Sequence, residues 1–117
     1  MTDSFNPSPE LLTSERCYLR EYLNKADLPD VSVAGARVAP GVTTELHALS
    51  VLEWYVIESG RGLMKLGDRE LFAVGPGDTV EIPPGCNQQI TNTGKNDLLF
   101  FCVCVPRFTP EYYSSRE

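Results

Sequence analysis

GVTTELHALSVLEWYVIESG (residues 41–60) and GDTVEIPPGCNQQITN (residues 77–92), sixteen residues apart, are the two blocks of sequence that decide the fold. Each block sets short β-branched and aromatic runs between glycine or proline positions, a pattern typical of antiparallel strands joined by tight turns. Gly41 and Gly60 stand where the chain must reverse and a positive φ is useful. Pro83 and Gly85 predict a bend between two short strands.

The rest of the chain extends this pattern in both directions. Nine glycines and nine prolines are spread between apolar runs, which predicts an all-β domain. Residues 10–24 have a composition that suits a helix, but their apolar positions alternate, so we expect a turn near Pro9 and then a strand. The further strands are predicted at 31–39, 42–49, 52–59, 63–66, 70–74, 79–82, 88–92 and 98–105.

The two blocks also carry the spacing of a known family. The first resembles the first cupin motif through Gly41, His47, Leu49, Glu53 and Gly60. The second resembles the second cupin motif through Gly77, Pro83, Gly85, Gln88 and Asn92. The resemblance implies a small antiparallel double-stranded β-helix, the jelly-roll barrel of single-domain bacterial cupins. We therefore expect an N-terminal arm over 1–15, the barrel over 16–106, and a tail over 107–117 that either covers the barrel or frays.

The family's ligand set is only partly present. The resemblance implies that two histidines and a glutamate of the first motif, with a histidine of the second, hold a divalent metal. In this sequence the corresponding positions are His47, Leu49, Glu53 and Gln88, and Leu49 is unable to bind a metal. The candidate ligands are therefore His47, Glu53 and Gln88. Odd-numbered His47, Glu53 and Tyr55 are expected to share one face and point into the barrel.

Four hypotheses follow for this site. The first is a weakened site for Zn, Mn, Ni or Fe, completed by water, a cysteine or Tyr55, with oxygenase, isomerase, lyase or decarboxylase chemistry on a small polar or carboxylated substrate. The second is a metal-free pocket in which His47 and Glu53 form an acid–base pair. The third is a barrel that binds or senses a ligand without turnover. The fourth is a filled barrel in which His47, the only histidine, is a structural residue.

Other side chains are candidates for the pocket. An inward Arg37 would bind a substrate carboxylate, whereas an outward Arg37 would be solvated. Cys104 or Cys102 would act as a soft ligand or a reactive thiol if it faced the cavity, and as a core residue otherwise. Tyr55 would donate a hydrogen bond from the cavity wall or fill the interior.

Charge and composition limit the partners. The formal net charge of −6 opposes binding to nucleic acid and to an anionic membrane surface. Residues 1–10 lack the basic start and apolar run of a secretion signal, and no membrane-length apolar run occurs, so a cytoplasmic protein with free thiols is expected. Trp54 and Val56 would face outward, which together with the resemblance predicts a homodimer through the terminal strands.

Overall fold

Strands account for almost all regular structure in the computed structural model, which describes residues 8–117. They alternate with short turns, as the glycine and proline positions predict. In chain order the strands are β1 (Leu11–Leu12), β2 (Tyr18–Leu23), β3 (Ser32–Val38), β4 (His47–Leu49), β5 (Leu52–Ser59), β6 (Gly62–Leu66), β7 (Phe72–Val74), β8 (Thr79–Ile82), β9 (Gln88–Asn92), β10 (Leu98–Val105) and β11 (Tyr113–Ser115). A 3-10 turn, Pro110–Tyr112, precedes β11.

Two antiparallel sheets form the barrel. The first has the order β1-β2-β3-β10-β5-β8, and the second has the order β11-β4-β9-β6-β7. Large aliphatic side chains from both sheets meet in one core, which includes Ile57, Met64, Ile82, Ile90 and Leu98, each at most 2% exposed. The all-β prediction and the antiparallel barrel are confirmed.

The turns of the two sequence blocks have the predicted backbone. Gly41 has φ +80° and Gly60 has φ +91°. A Cβ at Gly60 would lie 2.7 Å from the backbone oxygen of Asp97, so any side chain there would meet the neighbouring loop as well as backbone strain. Asn92 closes the second block, because its amide donates to the carbonyl oxygens of Val38 and Asn96, both at 2.8 Å.

One predicted strand is shorter than expected. The strand predicted over 42–49 is observed only as β4, with a single bridge between Thr43 and Thr91 before it. The reason is that the backbone carbonyl groups before β4 form hydrogen bonds with a side chain from another segment instead of with a neighbouring strand. The Arg16 guanidinium donates to the carbonyl oxygens of Thr43 and Thr44, at 2.9 and 3.2 Å. The strand predicted over 70–74 is likewise limited to β7.

The tail lies on the barrel. Residues 113–115 form β11, which pairs antiparallel with β4 so that Tyr113 lies opposite Leu49 and Ser115 lies opposite His47. Glu117 then contacts Arg16 through a short ion pair and accepts a 2.8 Å hydrogen bond from the Leu46 amide. The tail thereby covers the strand that carries the histidine.

The outer surface bears on the predicted partners. Trp54 and Val56 lie on the opposite side of β5 from the interior residues and are half-buried. The homodimer inferred from them stays a prediction. Within residues 8–117 there is no helix with the length and hydrophobicity needed to cross a membrane.

Candidate functional site

Three sequence-predicted residues come together at one end of the barrel interior. His47 begins β4, Glu53 lies near the start of β5, and Gln88 begins β9. His47 pairs directly with Gln88 across the sheet. All three are buried, with exposed fractions of 3%, 5% and 0%. The alternation of β4 and β5 places Tyr55 on the same interior side.

A cavity of about 410 Å³ opens beside these residues. His47, Glu53 and Tyr55 all line it. Its walls are mainly apolar or aromatic and come from β2, β3, β4, β10 and the tail: Leu19, Val33, Ala34, Ala36, Leu49, Phe100, Phe108, Pro110 and Tyr113. Such a volume and lining suit a small organic molecule.

The His47 ring is held in one tautomer. Its Nδ1 lies 2.8 Å from the Glu45 carbonyl oxygen, which only accepts, so Nδ1 carries the proton. The Tyr113 ring stacks on the imidazole at a centroid distance of 4.8 Å. Burial lowers the pKa of His47 below its usual value, and the contacts with Glu45 only partly oppose this. A neutral ring with a free lone pair on Nε2 results.

Glu53 is the buried carboxyl of the site. Burial raises its pKa to about 7, although the neighbouring Gln88 amide and Cys104 thiol lower it. The Cys104 Sγ lies 3.9 Å from Glu53 Oε2. Glu53 Oε1 has no hydrogen-bond partner of ordinary length and angle among the described residues. This oxygen has almost no accessible surface, and the Gln88 amide acts on the carboxyl as a hydrogen-bond donor.

Gln88 is held in place by Tyr55. The Tyr55 hydroxyl donates a 2.6 Å hydrogen bond to Gln88 Oε1. The amide Nε2 has no ordinary partner of its own within residues 8–117, and the amide lies close enough to Glu53 to lower that carboxyl's pKa. Gln88 therefore acts as a buried neighbour of Glu53, and its carbonyl oxygen is already engaged.

Glu15 is a site residue that the sequence did not reveal. It lies in the turn between β1 and β2, lines the cavity, and has Oε1 at 3.9 Å from His47 Nε2. Burial, followed by the charge of Glu45, raises the pKa of Glu15 to about 7. A backbone hydrogen bond from the Glu45 amide to the Glu15 carbonyl oxygen, 2.9 Å long, ties this turn to the approach to β4. Glu15 is a polar residue in a polar segment, so no local pattern indicated its position.

The comparisons with known proteins agree with this architecture. The sequence profile of the cupin domain matches residues 36–104, more than half of the chain. The chain belongs to the cupin family. This cupin is 38% identical over 104 residues to an uncharacterized protein of Methanocaldococcus jannaschii, an alignment that covers 86% of this chain and 82% of the relative.

Solved structures show the same fold. The cupin superposes on oxalate decarboxylase of Bacillus subtilis with a TM-score of 0.83 and 21% identity, over 97% of this chain and 31% of the enzyme. It thus spans about a third of the length of that enzyme. It also superposes on an uncharacterized conserved protein of Klebsiella pneumoniae with a double-stranded β-helix domain, at a TM-score of 0.76 and 18% identity, over 90% and 88% of the two chains. The double-stranded β-helix predicted from the sequence is confirmed.

The donor set of this cupin does not fit the metal site that the resemblance implies. Leu49 has no ligand atom, and Tyr55 occupies the carbonyl oxygen of Gln88. Among residues 8–117, no three His, Cys, Asp or Glu side chains are grouped so that they could hold a metal ion. His47 Nε2 and the Glu53 carboxyl are two donors, whereas protein sites for transition metals usually supply at least three.

The remaining candidates separate into two groups. Cys102 and Cys104 both line the cavity, because they share one face of β10. Arg37 lies elsewhere: its guanidinium contacts Glu10 at 2.9 Å and Asp97 at 3.3 Å, and it stacks over the Tyr18 ring. Its neighbours Ala36 and Val38 are buried, as is Ser32 on the same face of β3. Arg37 therefore faces outward, which is one of the two alternatives that the sequence left open, and it is not among the residues that line this cavity.

Proposed function

We propose that this cupin binds a small organic molecule in the cavity and moves a proton on it without a metal, with His47 as the base. The observation that carries the proposal is the fixed tautomer of His47. Its Nδ1 proton is committed to the Glu45 carbonyl, so Nε2 presents a lone pair beside the cavity. A buried neutral imidazole of this kind is suited to general-base catalysis near neutral pH.

A single group, the His47 imidazole, both removes the proton and returns it. His47 Nε2 would remove a proton from a carbon next to a carbonyl and return it to a second atom, which isomerises the ligand with no change in oxidation state. Glu15 lies where it would stabilise the imidazolium formed in between, since its carboxyl oxygen is 3.9 Å from Nε2. Glu53 would hold the ligand, because it lines the cavity and its carboxylate accepts hydrogen bonds.

The substrate of the structural neighbour is not carried over. Oxalate is a small dianion, and the charged side chains that line this cavity are Glu15, Glu21 and Glu53 against one Arg107. A dianion placed among these carboxyls would be repelled. We therefore propose a function of the same broad kind, small-molecule chemistry in a cupin barrel, on a different class of molecule.

A metal-dependent enzyme is the second candidate. The observation in its favour is that His47 Nε2 keeps an open electron pair and that Glu53 lines the same cavity. A divalent Zn, Mn, Ni or Fe ion would polarise a bound oxygen atom there, and Gln88 would have to exchange its bond with Tyr55 for the metal. The first candidate needs no such rearrangement.

One set of measurements separates the two. Protein purified without chelator is analysed for transition metals, and its melting temperature is followed with added Zn, Mn, Ni and Fe salts. A near-stoichiometric metal that is lost in His47→Gln would overturn the metal-free proposal. We expect neither bound metal nor a rise in melting temperature.

Proton transfer is then tested directly. Metabolites that raise the melting temperature are incubated with the protein in D2O and followed by NMR. We expect deuterium to enter one carbon position, to stop in His47→Gln, and to continue in Glu70→Gln, an exposed residue of the β6–β7 turn. Binding without exchange would leave a binding barrel and refute the catalytic step. The absence of any binder would refute the proposal altogether.

A further inference from the structure

The open polar atoms at the floor of the cavity are hydrogen-bond acceptors. His47 Nε2 is an acceptor because Nδ1 carries the ring proton. The Glu53 carboxyl, on a cavity-lining residue that is only 5% exposed, is also an acceptor when charged. Glu15 adds a second carboxyl group, whose Oε1 lies 3.9 Å from His47 Nε2. A ligand that satisfies these atoms must bring N–H or O–H donors of its own.

The charges around the cavity favour a positive ligand. Three glutamates line it, against a single arginine. That arginine, Arg107, donates from Nε to the Asn24 side-chain oxygen at 2.8 Å, so it is already engaged with a neighbour. The chain as a whole carries a formal charge of −6, which adds to the attraction of cations.

The apolar part of the cavity suits an organic cation better than a hydrated metal ion. Four aromatic side chains line it: Tyr55, Phe100, Phe108 and Tyr113. Aromatic faces attract ammonium groups, most strongly where water is excluded. A volume of about 410 Å³ is large enough for an apolar body beside the charged group.

From this arrangement we infer that the ligand is a small organic amine, bound as its ammonium form, whose N–H groups contact the Glu53 and Glu15 carboxylates beside His47 while its apolar part contacts the aromatic wall. The inference rests on the proposed function in one respect, namely that the cavity takes up a small molecule. It adds the chemical class of that molecule, and it excludes carboxylates as preferred ligands.

Protonation of the two carboxyls supports the same assignment. Burial raises the pKa of Glu53 and that of Glu15 to about 7, so each is partly protonated in the empty cavity near neutral pH. An ammonium favours the charged carboxylates and lowers these pKa values, and binding must therefore release protons to solvent. Affinity for the amine is expected to fall as the pH is lowered from 8 to 6.

Three probes that share the same apolar group and differ in their polar group test the inference. They are 2-phenylethylamine, 2-phenylethanol and 3-phenylpropanoate, which carry an ammonium, a hydroxyl and a carboxylate on the same phenyl group. Binding is measured by isothermal titration calorimetry at pH 8, in two buffers of different ionisation enthalpy so that proton release is counted. We expect the amine to bind at least about tenfold more tightly than the alcohol, with the carboxylate weakest of the three.

Two variants test whether the affinity for the amine depends on the carboxylates of Glu53 and Glu15. Glu53→Gln keeps an acceptor oxygen but removes the charge, so we expect about a tenfold loss of affinity for the amine and a change below about threefold for the alcohol. Glu15→Gln provides the same comparison if Glu53→Gln fails to fold. Glu70→Gln, whose side chain is exposed and outside the cavity lining, should leave all three affinities unchanged.

The possible results distinguish a failure of the amine assignment from a failure of the proposed function. Preference for the carboxylate, or equal affinity for all three probes, would overturn the amine assignment and leave the binding function standing. An amine affinity that is unchanged in both Glu53→Gln and Glu15→Gln would also overturn it. If none of the three probes binds while other metabolites raise the melting temperature, the amine assignment fails alone. If nothing binds at all, the proposed function fails with it.

Discussion

The Tyr55 hydroxyl donates a 2.6 Å hydrogen bond to the side-chain carbonyl of Gln88, and both residues are buried in the barrel interior. This contact determines how the second motif is used in this cupin. A glutamine at that position retains one oxygen for a ligand, and here Tyr55, on β5 of the opposite sheet, donates to that oxygen. The amide therefore faces the Glu53 carboxyl and tunes its pKa.

Removal of that hydroxyl tests how much the contact contributes. Tyr55→Phe leaves the Gln88 carbonyl without its donor, so we expect a loss of about 1–3 kcal/mol in the free energy of unfolding. The measurement is urea denaturation at pH 7. Tyr22→Phe is the matched control, because no hydrogen bond of its hydroxyl occurs in the described part of the chain, and it should change stability by less than about 0.5 kcal/mol. Equal effects of the two variants would contradict this account.

Stability should depend on pH through the buried carboxyls. The folded-state pKa values of Glu53 and Glu15, about 7, lie above the ordinary value of 4.5, so the folded state binds more protons than the unfolded state between these limits. Their contribution is full below about pH 4.5 and is lost as the pH rises through 7. His47 has the opposite sign below pH 6.5, since burial lowers its pKa. We therefore expect unfolding free energy to fall by about 1–3 kcal/mol between pH 6.5 and 8.5.

The variant Glu53→Gln isolates that effect. With one carboxyl removed, the decrease between pH 6.5 and 8.5 should be visibly smaller, as measured by urea denaturation at each pH. Glu70→Gln, on the exposed turn, should retain the full decrease. A pH dependence that is identical in wild type and Glu53→Gln would show that this carboxyl titrates normally.

The tail should control the titration of the only histidine. Tyr113 stacks on the His47 ring and helps to bury it. Tyr113→Ala admits water to the imidazole, so the pKa of His47 should rise toward its ordinary value. An NMR titration reads this directly, since the chain has one histidine. Tyr112→Ala, on the same tail but without the stacking contact, is the control, and an equal shift in both variants would count against a specific role for Tyr113.

The four thiols should differ in reactivity. Burial raises the pKa of Cys17 and that of Cys104 to about 12 and that of Cys102 well above its ordinary value, which suppresses their thiolates. Cys86 is half-buried, as Cys102 is, but it lies in the loop between β8 and β9, outside the cavity lining. A disulfide reagent such as DTNB should therefore modify one thiol quickly, and Cys86→Ser should remove that fast phase. Fast modification that persists in Cys86→Ser would show that the cavity thiols are accessible.

The alternation of side chains along each strand predicted which residues point into the barrel. His47 and Glu53 are six residues apart on strands whose side chains alternate, and the intervening turn keeps their phase, so both point inward with Tyr55. Arg37 shows the limit of the same rule. Its strand could be placed from sequence, but which face of β3 is buried depends on β10 and the opposite sheet.

The barrel, the family and the incomplete ligand set could be predicted from the sequence, because glycine, proline and alternating apolar positions encode turns and strand faces locally. Only the tertiary structure placed Glu15 beside His47, brought Tyr113 onto the imidazole and joined Tyr55 to Gln88. These contacts link residues that are 32, 66 and 33 positions apart in the sequence. Pairings at such separations follow from strand register and burial across the whole fold, which local propensity does not specify.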